Sequence, residues 1–183
     1  MITKNRTNYS SIRSVPLILI GALSAICLMG IWGCGQLTGY SNKSLFPEDI
    51  SSIYVEMFDN RTFRRDVEYK LTDALAKRIE AQTPYKICSK DAADTILTGQ
   101  IVSIGEALLS SERQTARPLE KEARLAAVVN WKNLKTGRLL LDNKTITAAA
   151  SYSEWQNQGF GYGSALAANK LAERIVELME KQW

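Results

Sequence analysis

The first 33 residues limit what this chain can fold into. Lys4, Arg6 and Arg13 precede an apolar run from Val15 to Trp32, and the segment holds no acidic residue. A basic start, an apolar middle and a small residue at the end describe an export signal. Removing it from 183 residues leaves 150. That is one ordinary domain, able to bury roughly 70% of its unfolded surface.

The run ends in Ile31-Trp32-Gly33-Cys34. A cysteine straight after the small residue is similar to a bacterial lipobox. The similarity implies cleavage before Cys34 and a covalent diacylglycerol and N-acyl lipid on that residue. Such chains exceed the two-signal threshold for stable anchoring. The rival reading is a plain transmembrane anchor, since about 18 apolar residues just span a bilayer. Under both readings the remainder leaves the cytoplasm tethered to a membrane.

Charge and composition exclude several functions. Three of the 23 basic residues lie in the leader, which leaves 20 against 19 acidic ones. A nearly neutral domain with no recognition motif gives no reason to expect nucleic acid. The chain has no histidine. Ser-His-Asp machinery, Cys-His machinery and histidine metal sites are therefore ruled out. No catalytic residue, metal site or cofactor is expected. Of three cysteines, Cys27 goes with the leader and Cys34 is acylated, so Cys88 has no disulfide partner and reads as a small strand hydrophobe.

Periodicity gives the elements. Residues 34–50 read as a polar tether and 51–183 as one domain. Ile53, Val55 and Met57 alternate as a half-buried strand over 52–58, closed by a turn at Asp59-Asn60-Arg61-Thr62. Val67, Leu71, Ala74, Leu75 and Ile79 form one stripe of a helix over 65–81, stopped by Gln82-Thr83-Pro84. A short strand at 85–88 comes next, then strands at 95–107, 124–134 and 138–148. A longer, mobile hairpin loop is expected at 110–120 and a tight turn at Lys135-Thr136-Gly137. A Gly- and aromatic-rich loop at 149–163 leads to a last helix with Ser164 as its N-cap. Both helix stripes are buried if the helices share one face of one sheet. The expected fold is an α+β two-layer sandwich, with a mixed sheet of four to five strands.

These features together resemble the LptE family, lipoproteins of the outer-membrane lipopolysaccharide translocon. The residues that carry the resemblance are Cys34-Gly35, the strand Ile53 to Phe58 with its Asn60-Arg61-Thr62 turn, and Leu71-Thr72-Asp73-Ala74-Leu75. The run Ala93-Asp94-Thr95-Ile96-Leu97-Thr98-Gly99-Gln100-Ile101, the Thr136-Gly137 turn and the amphipathic last helix complete it. The resemblance implies a non-catalytic protein in the outer membrane. It would sit in the lumen of an LptD-type β-barrel, plug it, and contact lipopolysaccharide. Such a ligand carries phosphates and acidic sugars, which points to Arg113, Arg117, Lys121 and Arg124 around the long hairpin loop. A second basic group is Lys132, Lys135 and Arg138. Tyr152, Trp155, Phe160 and Tyr162 are candidate contacts to the barrel wall, with capping of the core as their alternative role. The rival function is an envelope lipoprotein that binds another small ligand or protein.

Overall fold

The computed structural model describes residues 45–115 and 117–180. The leader, Cys34 and Trp183 lie outside the described residues, and with them the expected cleavage, acylation and the anchor alternative. The described residues belong to one compact unit.

Among the described residues, six strands and two α-helices succeed one another in the expected order. They are β1 (Ser52–Val55), β2 (Asp59–Asn60), α1 (Val67–Gln82), β3 (Lys86–Ile87), β4 (Thr95–Ser111), β5 (Pro118–Asn133), β6 (Leu139–Tyr152) and α2 (Phe160–Glu177). The sheet order is β3-β1-β4-β5-β6, with β2 also pairing with β4. β1 runs parallel to β3 and β4, and β2 runs parallel to β4. β4, β5 and β6 form an antiparallel meander. This is the expected α+β sandwich, with six strands instead of four to five because Asp59–Asn60 pairs with β4 and does not simply turn.

Both helices cover one face. The α1 stripe of Val67, Leu71, Ala74, Leu75 and Ile79 is buried as its spacing requires. Each fully buried Leu or Ile there contributes about 1.5–3 kcal/mol. Thr83 ends the helix, its amide and hydroxyl both donating to the Ile79 carbonyl at 3.0 and 2.7 Å. From β5, Leu125, Ala127, Val129 and Trp131 point inward, the period of two read from the sequence. The opposite face is open and mostly small or polar: Thr98, Gln100, Asn130, Thr145 and Thr147.

The core takes in more chain than expected. Phe46 and Ile50, within the segment read as tether, are buried. The Phe46 ring meets Tyr85 edge-on at 5.8 Å. The β4–β5 hairpin is also longer in its strands and shorter in its loop than expected. Pairing continues to Ser111 and Pro118, and the Glu112 amide donates to the Arg117 carbonyl at 2.8 Å. Both faces of the hairpin are largely exposed there, so the side chains carry no alternation. Pro118 is tolerated because it opens its strand.

The last helix begins at Phe160, with Gly159 as N-cap. Ser164 is therefore inside the helix, and its hydroxyl donates to the Gly161 carbonyl at 3.0 Å. Glycine-rich sequence disguised this start. Gly163 is glycine for a packing reason: a Cβ there would overlap the Tyr152 ring.

Strand direction then fixes which loops meet. β1, β4 and β6 run the same way, and each helix returns antiparallel to them. The β2–α1 loop, the β4–β5 hairpin tip and the β6–α2 loop therefore share one end of the sandwich. The Leu45–Ser51 segment and the β5–β6 hairpin share the other.

Candidate functional site

The loop-bearing end gathers most of the cations and aromatics singled out from sequence, though not as the groups proposed. Arg113 and Arg117 are exposed on the hairpin tip. The Arg117 guanidinium lies 4.6 Å from the Trp155 ring centre, a cation–π contact that joins the basic group to the aromatic one. Lys121 lies between two carboxylates, 3.0 Å from Glu106 and 2.5 Å from Glu154. Its charge is compensated within the protein, and its pKa is raised, first by Glu154 and then by Glu106. Arg124 is three residues further along the same strand and so faces the opposite side of the sheet. It pairs with Glu122 at 2.6 Å. The four cations thus divide into an exposed pair, a neutralised lysine and an arginine on the open face.

The aromatics divide too. Trp155 and Tyr162 are exposed. Phe160 is half-buried against the core, beneath the Arg64 guanidinium at 3.7 Å. Tyr152 takes the core alternative. It is 3% exposed, and its ring packs on the Gly163 backbone. Its hydroxyl lies beside Glu106 without closing a hydrogen bond. Burial first, and then Glu106, pushes its pKa up to about 12.

A recess of about 500 Å³ opens at this end between the hairpin, Ser151 to Ser153 and the start of α2. Ser110, Glu120, Ser153, Gln156, Gln158 and Tyr162 contribute to its lining. Glu154 and Trp155 sit in a short 3₁₀ turn, Glu154–Gln156. The Lys121–Glu154 pair and a Ser153 hydroxyl bond to the Leu119 carbonyl at 2.9 Å hold that turn to β5.

The second basic group, at the far end, is structural in part. Lys135 pairs with Asp94 at 2.5 Å. Asp94 also accepts from the Ser51 amide and hydroxyl and the Ser52 amide, at 3.0, 2.6 and 3.0 Å.

Over residues 50–182 the chain matches the sequence profile of the lipopolysaccharide-assembly family LptE. The chain belongs to that family. LptE is a non-enzymatic lipopolysaccharide-assembly family. No curated protein matches the sequence. The fold is shared with the hypothetical protein CT253 of Chlamydia trachomatis, at a TM-score of 0.51 and 8% identity, over 70% of this chain and 94% of that one. A putative lipoprotein from Caulobacter crescentus CB15 is similar at 15% identity and a TM-score of 0.46, covering 69% of this chain and 87% of its own. A minor lipoprotein from Acinetobacter baumannii is similar at 16% identity and a TM-score of 0.42, covering 73% of this chain and 98% of its own.

The motif residues that pointed to LptE from sequence turn out to hold the fold together. Asp94 clasps β1 to the start of β4. Leu97 and Ile101 are fully buried. Gly99 leaves room for the Phe58 ring, which a Cβ would overlap. Asn60 organises the β2–α1 loop, where its side chain donates to the Arg64 carbonyl at 2.7 Å and accepts from the Thr62 amide at 2.9 Å. Sequence reasoning missed what that loop displays, Phe63 between arginines. Its signal was a phenylalanine that belongs to neither neighbouring periodicity.

Proposed function

We propose that this LptE-family chain is an outer-membrane lipoprotein that assembles with an LptD-type β-barrel, plugs it, and assists lipopolysaccharide transport to the outer leaflet. The observation that carries this reading is the family match over residues 50–182. Two features support it. The open sheet face is small and polar, which suits the hydrophilic interior of a large barrel. The loop-bearing end offers exposed Arg113, Arg117 stacked on Trp155, and exposed Tyr162, cations and aromatics that suit a phosphorylated glycolipid. On this reading a lipid on Cys34 holds the protein at the inner leaflet of the outer membrane, and no cofactor takes part.

The test is a gentle detergent pull-down of the tagged protein from its own membranes, with mass spectrometry of the proteins that co-purify. A stoichiometric LptD-type barrel is expected. Recovery of the lipoprotein alone, where other barrel complexes survive, would return the chain to the rival role of binding a different ligand. Cys34→Ala is expected to abolish acylation, and unchanged acylation of that variant would refute Cys34 as the lipid site.

A further inference from the structure

The β2–α1 loop, Arg61 to Asp66, belongs to none of the cation and aromatic groups at the hairpin tip and the β6–α2 loop. Its Phe63 side chain is 104% exposed, against 58% for Trp155, the next most exposed large apolar side chain among the described residues. A phenylalanine left so bare forgoes the burial that normally accompanies folding.

The loop is nevertheless tightly built. Asn60 donates to the Arg64 carbonyl and the Glu68 carboxylate, both at 2.7 Å. It accepts from the Thr62 amide at 2.9 Å and the Thr62 hydroxyl at 2.7 Å. Arg64 is laid over Phe160. Asp66 takes the left-handed conformation, φ 74°, to turn the chain into α1. The loop thus displays Phe63 from a fixed frame.

The charge around the ring is net positive: Arg61, Arg64 and Arg65 stand against Asp66, with Glu68 also near Arg65. Arg61 and Arg65 are exposed, and neither is ion-paired among the described residues. An apolar ring between two exposed guanidiniums, neither held in a close ion pair, fits a ligand in which phosphate adjoins acyl chain. Guanidinium forks take phosphate bidentately, and aromatic rings settle at the boundary between head groups and chains. A protein pocket could accept the ring but would leave the two cations unanswered unless it were also acidic. The Arg64–Phe160 contact and a Lys70 ammonium bond to the Gly161 carbonyl at 3.2 Å tie this loop to the start of α2. It therefore stands at the same end as Arg117 and Trp155.

We infer that Arg61–Asp66 is a lipopolysaccharide-binding element, in which Arg61 and Arg65 hold lipid phosphate and Phe63 enters the acyl layer. The identity of the lipid rests on the translocon reading; the loop and its residues are additional to it.

The test places the photoreactive residue p-benzoylphenylalanine at Phe63 in the full chain, in its own cells. The same probe at Trp155 serves as the reference. After irradiation the purified protein is examined for lipopolysaccharide, phospholipid and protein adducts. A lipopolysaccharide adduct at position 63 is expected. It should fall severalfold when Arg61→Gln and Arg65→Gln are added, with the yield at position 155 maintained. An adduct insensitive to those changes would remove the phosphate contact and overturn the inference. So would capture of only protein or phospholipid at 63. Capture at 155 but not at 63 would overturn the inference and leave the translocon reading standing. No lipopolysaccharide at either position would overturn both.

Discussion

Asp94 is 6% exposed and accepts three hydrogen bonds from Ser51 and Ser52 besides its contact with Lys135. Lys135 first, and then the Ser51 hydroxyl and amide, hold its carboxyl well below the usual carboxylate range. Lys135 itself is 69% exposed, so solvent screens the pair and its removal should cost under about 1 kcal/mol. The serine bonds carry the clasp. Asp94→Asn should destabilise the domain by about 1.5–3 kcal/mol at neutral pH, and Lys135→Ala by much less, in urea titrations. Because the folded pKa is depressed, the charge-dependent stabilisation is complete above the unfolded value of 3.8. It is lost as pH falls from there towards the folded value. The gap between wild type and Asp94→Asn should therefore narrow below about pH 4; a gap constant down to pH 2 would deny the clasp its charge. Three glycines give a second residue-level contrast. Gly99→Ala and Gly163→Ala drive a methyl into the Phe58 and Tyr152 rings and should each cost about 1–3 kcal/mol. Gly161 has open space around it, so Gly161→Ala should stabilise by about 0.4–1 kcal/mol. Thermal melts of the three variants separate close packing from backbone flexibility as the reason for each glycine.

Among the elements, the Glu154–Gln156 turn is held to β5 by the Lys121–Glu154 pair together with the Ser153 hydroxyl bond to the Leu119 carbonyl. Lys121 is the cation shared by Glu106 and Glu154, and Trp155 reaches Arg117 only while that turn is seated on β5. Lys121→Met should speed amide exchange across residues 153–159 and leave α1 unchanged. Equal acceleration in α1 would mean that the lysine supports the whole domain and not this turn. The elements also show why their ends were harder to read than their middles. The α1 stripe is legible because one face is fully buried and the other wet. The outer part of the β4–β5 hairpin is exposed on both faces, so no alternation marks it, and residues paired in strands read as loop. Gly159 to Gly163 read as loop because glycine has low helix propensity, whereas Gly163 is demanded by a tyrosine from a different element.

At the level of the whole molecule, the boundary of the fold lies further towards the N-terminus than residue 51. Phe46 and Ile50 close the core beside Tyr85 and Trp131. Phe46→Ala should cost about 3 kcal/mol, and a chain beginning at residue 51 should melt lower than one beginning at 45. Equal melting temperatures would return Phe46 to the tether. The parallel course of the two helices also places the Leu45–Ser51 segment and the β2–α1, β4–β5 and β6–α2 loops at opposite ends. Substitutions at Arg113, Arg117 or Phe63 should therefore alter ligand contacts without moving the denaturation midpoint, whereas changes at Asp94 or Phe46 should do the reverse.

Local periodicity and turn chemistry were enough to define the order of elements and the sandwich class, because each depends on neighbours along the chain; short motifs in that order carried the resemblance to the family, and the absence of histidine excluded histidine-based catalysis. The residues of the family signature are legible for the same reason: Asp94, Leu97, Gly99 and Asn60 serve strands and turns that the sequence itself announces. The site belongs to a different kind of information. Whether Lys121 is free or neutralised, whether Tyr152 is surface or core, and whether Arg124 joins Arg117 all depend on pairings between residues distant in the chain or on which face of a sheet is covered. Those pairings exist only once β4, β5, β6 and the two helices have closed on one another. Only then does Phe63 stand out as a fully exposed aromatic ring held by a rigid loop.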